Sequence, residues 1–155
     1  IGNLKEEDRP RVEALVGDSK KIKIYNAVDQ AHLGEIMRHK DIFILPSYFE
    51  GLGLIAVEAL GSGLRVVATE IEGLIEFLGE KINNSEIIEY VKMPTIYDTD
   101  KAVEEEKPAF IERLVETLEV MIERTRKERA IPAYLLEEIE RHSWKKKIET
   151  IYKLL

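Results

Sequence analysis

Short apolar runs separated by turns dominate the first half of the sequence. The run at 41–45 alternates too little for a half-exposed strand, and a similar run follows at 65–69. Between them lies a compact apolar segment, 54–60, that is long enough for a helix. Because fully buried strands that alternate with helices are typical of parallel sheets covered on both faces, the pattern predicts an α/β fold.

The rest of the chain extends this pattern. β-branched and aromatic residues at 22–26 predict another strand, and the period of 30–39 predicts a helix. Asn84 is expected to begin a short helix, and 93–100 to form a short strand with a turn. Helical periodicity over about 108–155 predicts a helical C-terminal extension, with one apolar stripe formed by Phe110, Leu114, Leu118, Met121 and Ile122.

Two glutamates flank the turn between the strand at 41–45 and the following helix. Glu50 and Glu58 are separated by seven residues, and Gly51 and Gly53 lie within the turn. The helix is otherwise apolar all round, which predicts that it is buried. A buried carboxylate is costly unless it is paired, so we expect Glu58 to face a cation or a ligand cleft.

The start of this helix has the chemistry of an anion site. Backbone N–H groups at a helix start point outward, and the helix dipole favours a negative charge there. The groups concerned belong to Leu52, Gly53 and Leu54. The turn therefore predicts a phosphate site flanked by two carboxylates, a combination that suits the diphosphate and the hydroxyls of a sugar nucleotide.

The stretch 46–69, PSYFEGLGLIAVEALGSGLRVVAT, resembles the signature of retaining glycosyltransferases of the GT-B fold, the glycosyl transferases group 1 type. The resemblance implies that residues 1–155 form one Rossmann-like half of that fold, the donor-binding domain. It implies that Glu58 binds the ribose of a nucleotide sugar and that Glu50 is the catalytic residue, a carboxylate beside the transferred sugar. The alternative is that Glu50 caps the turn and Glu58 makes a core salt bridge.

Two further segments resemble the family's donor site. The loop at 26–28 corresponds to the loop that packs on the nucleotide base, which makes Asn26 and Val28 candidate ligands. In 70–80, Gly73 and Glu76 match the segment that shapes the sugar pocket. Two positions depart from the family pattern: Glu72 replaces a glycine and Arg65 replaces a proline. A solvated helix face is the alternative for Glu72 and Glu76.

Asp98 and Asp100 form a D-x-D, a spacing that binds metal-nucleotide complexes in another glycosyltransferase fold. Helix capping is the simpler interpretation, because a helical stretch follows. The sequence predicts no metal ligands and no cofactor. The nucleotide-diphosphate sugar is expected as the donor substrate. The three histidines are expected in core or helix-end positions.

Composition narrows the partners. The net charge of −7 argues against nucleic acid as a principal partner, because phosphate binding needs a basic face. The absence of cysteine favours a cytoplasmic protein, and docking of the parent enzyme on the inner membrane face stays open. The first residue is Ile1, so we expect a fragment, and the resemblance implies that a missing N-terminal domain carries the acceptor site. Such a fragment is expected to be inactive alone.

Three other functions remain open from the residues. One is a non-catalytic nucleotide-binding or interaction domain of the same fold. The others are half of a sugar-nucleotide epimerase and a metal-dependent transferase that uses Asp98 and Asp100. The sequence leaves the base, the sugar and the acceptor undetermined.

Overall fold

The computed structural model describes residues 2, 4–99, 101–143 and 146. It divides into two compact units, Ile1–Ile36 and Met37–Leu155. The prediction of a single domain over 1–155 stays a prediction.

The first unit contains a first helix, an extended segment and most of a second helix. Helix α1 (Arg9–Val16) ends at Gly17, which has a left-handed φ of 52°. The strand predicted at 22–26 is wrong, because a strand needs a hydrogen-bonded neighbour and this segment has no ladder within the described residues. Helix α2 (Gln30–Arg38) confirms the helix predicted at 30–39.

A three-stranded parallel sheet forms the centre of the second unit. Its strands are β1 (Ile42–Leu45), β2 (Arg65–Thr69) and β3 (Ile88–Val91), in the order β1-β2-β3. Helices α3 (Leu54–Gly61) and α4 (Glu72–Asn83) connect them. The predicted α/β fold with a parallel sheet is therefore confirmed, and every residue of β2 is buried.

Two expectations about the outer strands are wrong. β1 was expected to be fully buried, but Ile44 is 39% exposed because β1 lies at an edge of the sheet in the described part of the chain. No helix starts at Asn84, which instead ends α4. The β-branched run that follows forms β3, since a parallel partner is available in β2. A short apolar run does not by itself distinguish helix from strand.

Helices cover both faces of the sheet. Helix α5 (Lys107–Lys127) places Phe110 and Met121 against Val67 of β2 and Val91 of β3, as its apolar stripe predicts. Side chains alternate across a strand, so the neighbours of Val67 in β2 point to the other face, where they are also fully buried.

A hairpin and a further helix complete the described fold. Strands β4 (Ile96–Asp98) and β5 (Lys101–Ala102) confirm the predicted strand and turn. A short 3₁₀ helix, Glu104–Glu106, precedes α5, and α6 (Ala133–Arg141) follows it. The helix expected at the chain end lies, apart from Lys146, outside the described residues.

Helix α4 bends at Gly79, whose φ of 72° and ψ of 170° are not helical. The amide Nδ2 of Asn83 donates a hydrogen bond to the carbonyl of Ile75 across the bend, at 2.6 Å. The Tyr90 hydroxyl donates in turn to Oδ1 of Asn83, also at 2.6 Å. The bend is therefore held by side chains, and burial raises the pKa of Tyr90.

Arg65 begins β2 at the end of the strand opposite to Thr69. Its buried guanidinium donates to the carbonyl of Glu86 at 2.7 Å and to the carbonyl of Glu128 at 2.8 Å. Burial lowers its pKa. The arginine that replaces the family's proline therefore fastens the end of α5 to the sheet, far along β2 from the glycine turn.

Candidate functional site

The glycine turn, residues 50–54, follows β1 at the carboxyl edge of the sheet. Gly53 is buried and left-handed, with a φ of 68° and a ψ of 38°, and it is the N-cap of α3. A Cβ built on Gly51 would meet nothing within 4 Å, so a ligand can approach the backbone there. In the described part of the chain, the N–H groups of Leu52, Gly53 and Leu54 donate to no backbone carbonyl.

The start of α4 packs directly on this turn. A Cβ built on Gly73 would lie 2.6 Å from the carbonyl oxygen of Gly51 and 3.6 Å from Cα of Leu52. Only a residue without a side chain fits between the two backbones. The structure thus brings together Gly73 and the glycine turn, which the sequence places far apart.

Glu50 is half-buried and its carboxylate is held locally. The Ser47 hydroxyl donates to Oε1 of Glu50 at 2.9 Å. The hydroxyl of Thr69, a fully buried residue, donates to the Ser47 carbonyl at 2.6 Å. This geometry fits a turn-capping role as well as an oriented site carboxylate. Ser47 and Thr69 are not among the site residues predicted from the sequence, although a serine three residues before Glu50 is a local signal.

Glu58 is exposed, so the prediction of a helix buried all round is wrong. α3 packs on β1, β2 and α6, and its remaining face, which includes Leu54, is open. This face lines a cavity of about 510 Å³ together with residues of α6 and the positions after it. The lining residues are Leu54, Val57, Glu58, Gly61, Leu136, Ile139, Glu140, His142 and Ser143. Glu58 therefore lies at a cleft, and its role as a ribose ligand stays a prediction.

The structure gives the exposure of four other candidate residues. Glu72 and Glu76 are exposed on α4, and Glu72 lies in its first turn. Asn26 is exposed and Val28 half-buried in the segment before α2, within the first unit. Their place beside the nucleotide base stays a prediction.

Asp98 does not cap a helix. It lies in β4 and pairs with Lys101 at 2.8 Å. Asp100 lies outside the described residues, so a metal site at the D-x-D stays the alternative hypothesis. Within the described ranges there is no group of three or more His, Cys, Asp or Glu that could hold a metal ion. None of the helices described there is long and apolar enough to span a membrane.

The family model of the glycosyl transferases group 1 matches residues 1–128. The chain belongs to this family. The resemblance drawn from the stretch 46–69 is thereby confirmed at the level of the family. The match includes the sheet, the glycine turn and all of α5.

Individual glycosyltransferases match the chain over shorter stretches. A D-inositol 3-phosphate glycosyltransferase 2 from Catenulispora acidiphila is 38% identical over 64 residues, which are 41% of this chain and 15% of that protein. A D-inositol 3-phosphate glycosyltransferase from Streptomyces griseus is 33% identical over 73 residues, or 47% of this chain and 16% of that protein. A sucrose synthase from Melioribacter roseus is 40% identical over 52 residues, or 34% and 7%. The matched segment is thus a small part of each of these relatives.

Proposed function

We propose that this chain is the donor-binding part of a glycosyltransferase, which binds a nucleotide-diphosphate sugar for transfer to an acceptor with retention of configuration. The observation that carries the proposal is the open glycine turn between Glu50 and Glu58, in a chain of the glycosyl transferases group 1 family. A half-buried carboxylate stands on one side of the turn and a carboxylate at a cavity on the other.

Each part of the donor has a chemical match in these residues. The N–H groups of 52–54 supply donors and the positive end of the α3 dipole to the diphosphate. Glu58, which lines the same cavity as Leu54, accepts hydrogen bonds from the ribose hydroxyls. Glu50 lies on the sugar side and Gly73 keeps the turn in place. Asn26 and Val28 are the candidates for the nucleotide base.

Transfer requires more than these residues. The departing diphosphate gains negative charge in the transition state, and fixed N–H donors stabilise that charge. We place the acceptor site on a further, N-terminal domain of the parent enzyme. The chain alone therefore binds the donor and does not turn over.

The relatives suggest where to look for the acceptor. Two of them are named D-inositol 3-phosphate glycosyltransferases, so inositol 3-phosphate is the first acceptor to test with the parent enzyme. Polysaccharides are the other acceptor class that we propose. We also propose a cytoplasmic location, with docking of the parent enzyme at the inner membrane face.

The test is a calorimetric titration of the 155-residue chain with UDP, GDP and ADP, with and without magnesium. We expect one of them to bind independently of magnesium. Glu58→Gln should weaken it by roughly tenfold or more, because a hydrogen bond to a charged group contributes ~1.5–3 kcal/mol. Glu112→Gln, an exposed glutamate of α5, is the matched control and should bind as the parent chain does.

Two results would contradict the proposal. Failure of all three nucleotides to bind at millimolar concentration would remove the donor site. Tight nucleotide binding that Glu58→Gln leaves unchanged would place the ligand elsewhere and favour the alternative of a non-catalytic nucleotide-binding domain.

A further inference from the structure

The backbone ladder between β1 and β2 stops just before the glycine turn. The register pairs Leu45 with Ala68, so the next pair would be Pro46 and Thr69. Proline has no N–H to donate, and the ladder cannot continue through it. The segment that leads into the turn is therefore held to the sheet by something other than strand pairing.

The Thr69 side chain makes this connection. Its hydroxyl donates to the Ser47 carbonyl at 2.6 Å, and it lies 3.4 Å from the Leu45 carbonyl. Thr69 is fully buried, so its one hydroxyl proton has no water to bind instead. The backbone of Ser47 is thus fixed at a side chain of the neighbouring strand.

From Ser47 the connection passes to Glu50. The Ser47 hydroxyl donates to Oε1 of Glu50 at 2.9 Å, and this contact is partly buried. A carboxylate has two acceptor oxygens, so Oε2 stays available for another donor. The packing of Gly73 on the Gly51 carbonyl restrains the turn from the opposite side.

We infer that Thr69 and Ser47 are positioning residues, which hold the Glu50 carboxylate so that Oε2 accepts a hydroxyl of the donor sugar. The inference rests on the proposed function. A glutamate side chain free in solution samples several rotamers, whereas a carboxylate held at one oxygen presents the other in a fixed direction. Glu50 alone is the group that touches the sugar; Ser47 and Thr69 act through it.

The test compares two affinities for each variant, that for a nucleotide sugar and that for the matching nucleoside diphosphate. The pairs are UDP-glucose with UDP, GDP-mannose with GDP and ADP-glucose with ADP. Ser47→Ala and Thr69→Val should weaken the nucleotide sugar about tenfold relative to the diphosphate, the effect of ~1.4 kcal/mol. Ser47→Thr and Thr69→Ser keep the hydroxyls and should restore the ratio of the affinity for the nucleotide sugar to the affinity for the diphosphate. Glu50→Gln should lower the ratio as Ser47→Ala does.

The outcomes separate this inference from the proposed function. If the unsubstituted 155-residue chain binds no diphosphate, the proposed function fails. If diphosphates bind and Ser47→Ala and Thr69→Val leave the ratio unchanged, the inference is overturned. Equal loss for sugar nucleotide and diphosphate also overturns it, because that loss reports a collapsed turn. A ratio unaffected by Glu50→Gln overturns it as well, since Glu50 would then not contact the sugar.

Discussion

Replacing Gly73 by alanine tests whether the start of α4 holds the glycine turn. The added Cβ would lie 2.6 Å from the Gly51 carbonyl oxygen, whereas ordinary contact begins at 3.4 Å. The turn must therefore withdraw by about 0.8 Å, the difference between these two distances. The obstacle is a backbone atom and not the end of a flexible side chain, so rotation of a side chain does not relieve it.

The magnitude follows from two opposing effects. Overpacking of this kind costs ~1–3 kcal/mol, while alanine in place of glycine in a helix contributes ~0.5–1 kcal/mol of stabilisation. The net loss should lower the unfolding temperature by a few degrees, since ~1 kcal/mol corresponds to roughly 2–4 °C at this chain length. Because the displaced N–H groups are those proposed for the diphosphate, nucleotide affinity should fall about tenfold, or ~1.4 kcal/mol.

Thermal unfolding and calorimetry with UDP, GDP and ADP measure both effects. Gly61→Ala is the control for stability, because its Cβ would lie 3.9 Å from Cγ2 of Ile139 and nothing has to shift. It should unfold at the same temperature as the parent chain or higher. An unfolding temperature of Gly73→Ala at or above that of the parent, with nucleotide affinity retained, would refute the steric reasoning.

Two further predictions concern stability away from the turn. Arg65→Met leaves the carbonyls of Glu86 and Glu128 without their donors. The free energy of unfolding, measured in urea, should therefore fall by ~2–4 kcal/mol. An unchanged urea midpoint would contradict the role of Arg65. Burial raises the pKa of Tyr90 above 10.0, so its contribution to stability should be complete below about pH 10 and fall as pH rises further, because the unfolded chain then releases the phenol proton first. Tyr90→Phe should lose less stability than the parent between about pH 8 and pH 11 in urea unfolding, and equal losses would count against the assignment.

Local patterns were sufficient where one segment determines its own structure. The glycine turn, α3 and the fully buried β2 follow from glycine positions and apolar runs that are visible in the sequence. The stripe of α5 follows from helical periodicity. These elements also define the family resemblance, which the match over residues 1–128 confirms.

Errors arose where the structure depends on distant partners. Residues 22–26 have the composition of a strand and lack a ladder in the described residues, whereas 88–91 form a strand because β2 is beside them. The exposure of Glu58 depends on where α6 packs on α3, which no local pattern encodes. The contact of Thr69 with Ser47 likewise joins two segments through the register of the sheet.

The bend in α4 has a consequence for protein engineering. Gly73, which packs on the turn, lies in the part of α4 before the bend at Gly79. The hydrogen bonds from Asn83 to Ile75 and from Tyr90 to Asn83 connect that part to the residues after the bend and set its direction. A graft of residues 46–58 into another α/β scaffold would carry both glutamates but not this support. The smallest transplantable module therefore extends from β1 through β3, and a shorter graft should fold without reproducing the backbone geometry of the turn.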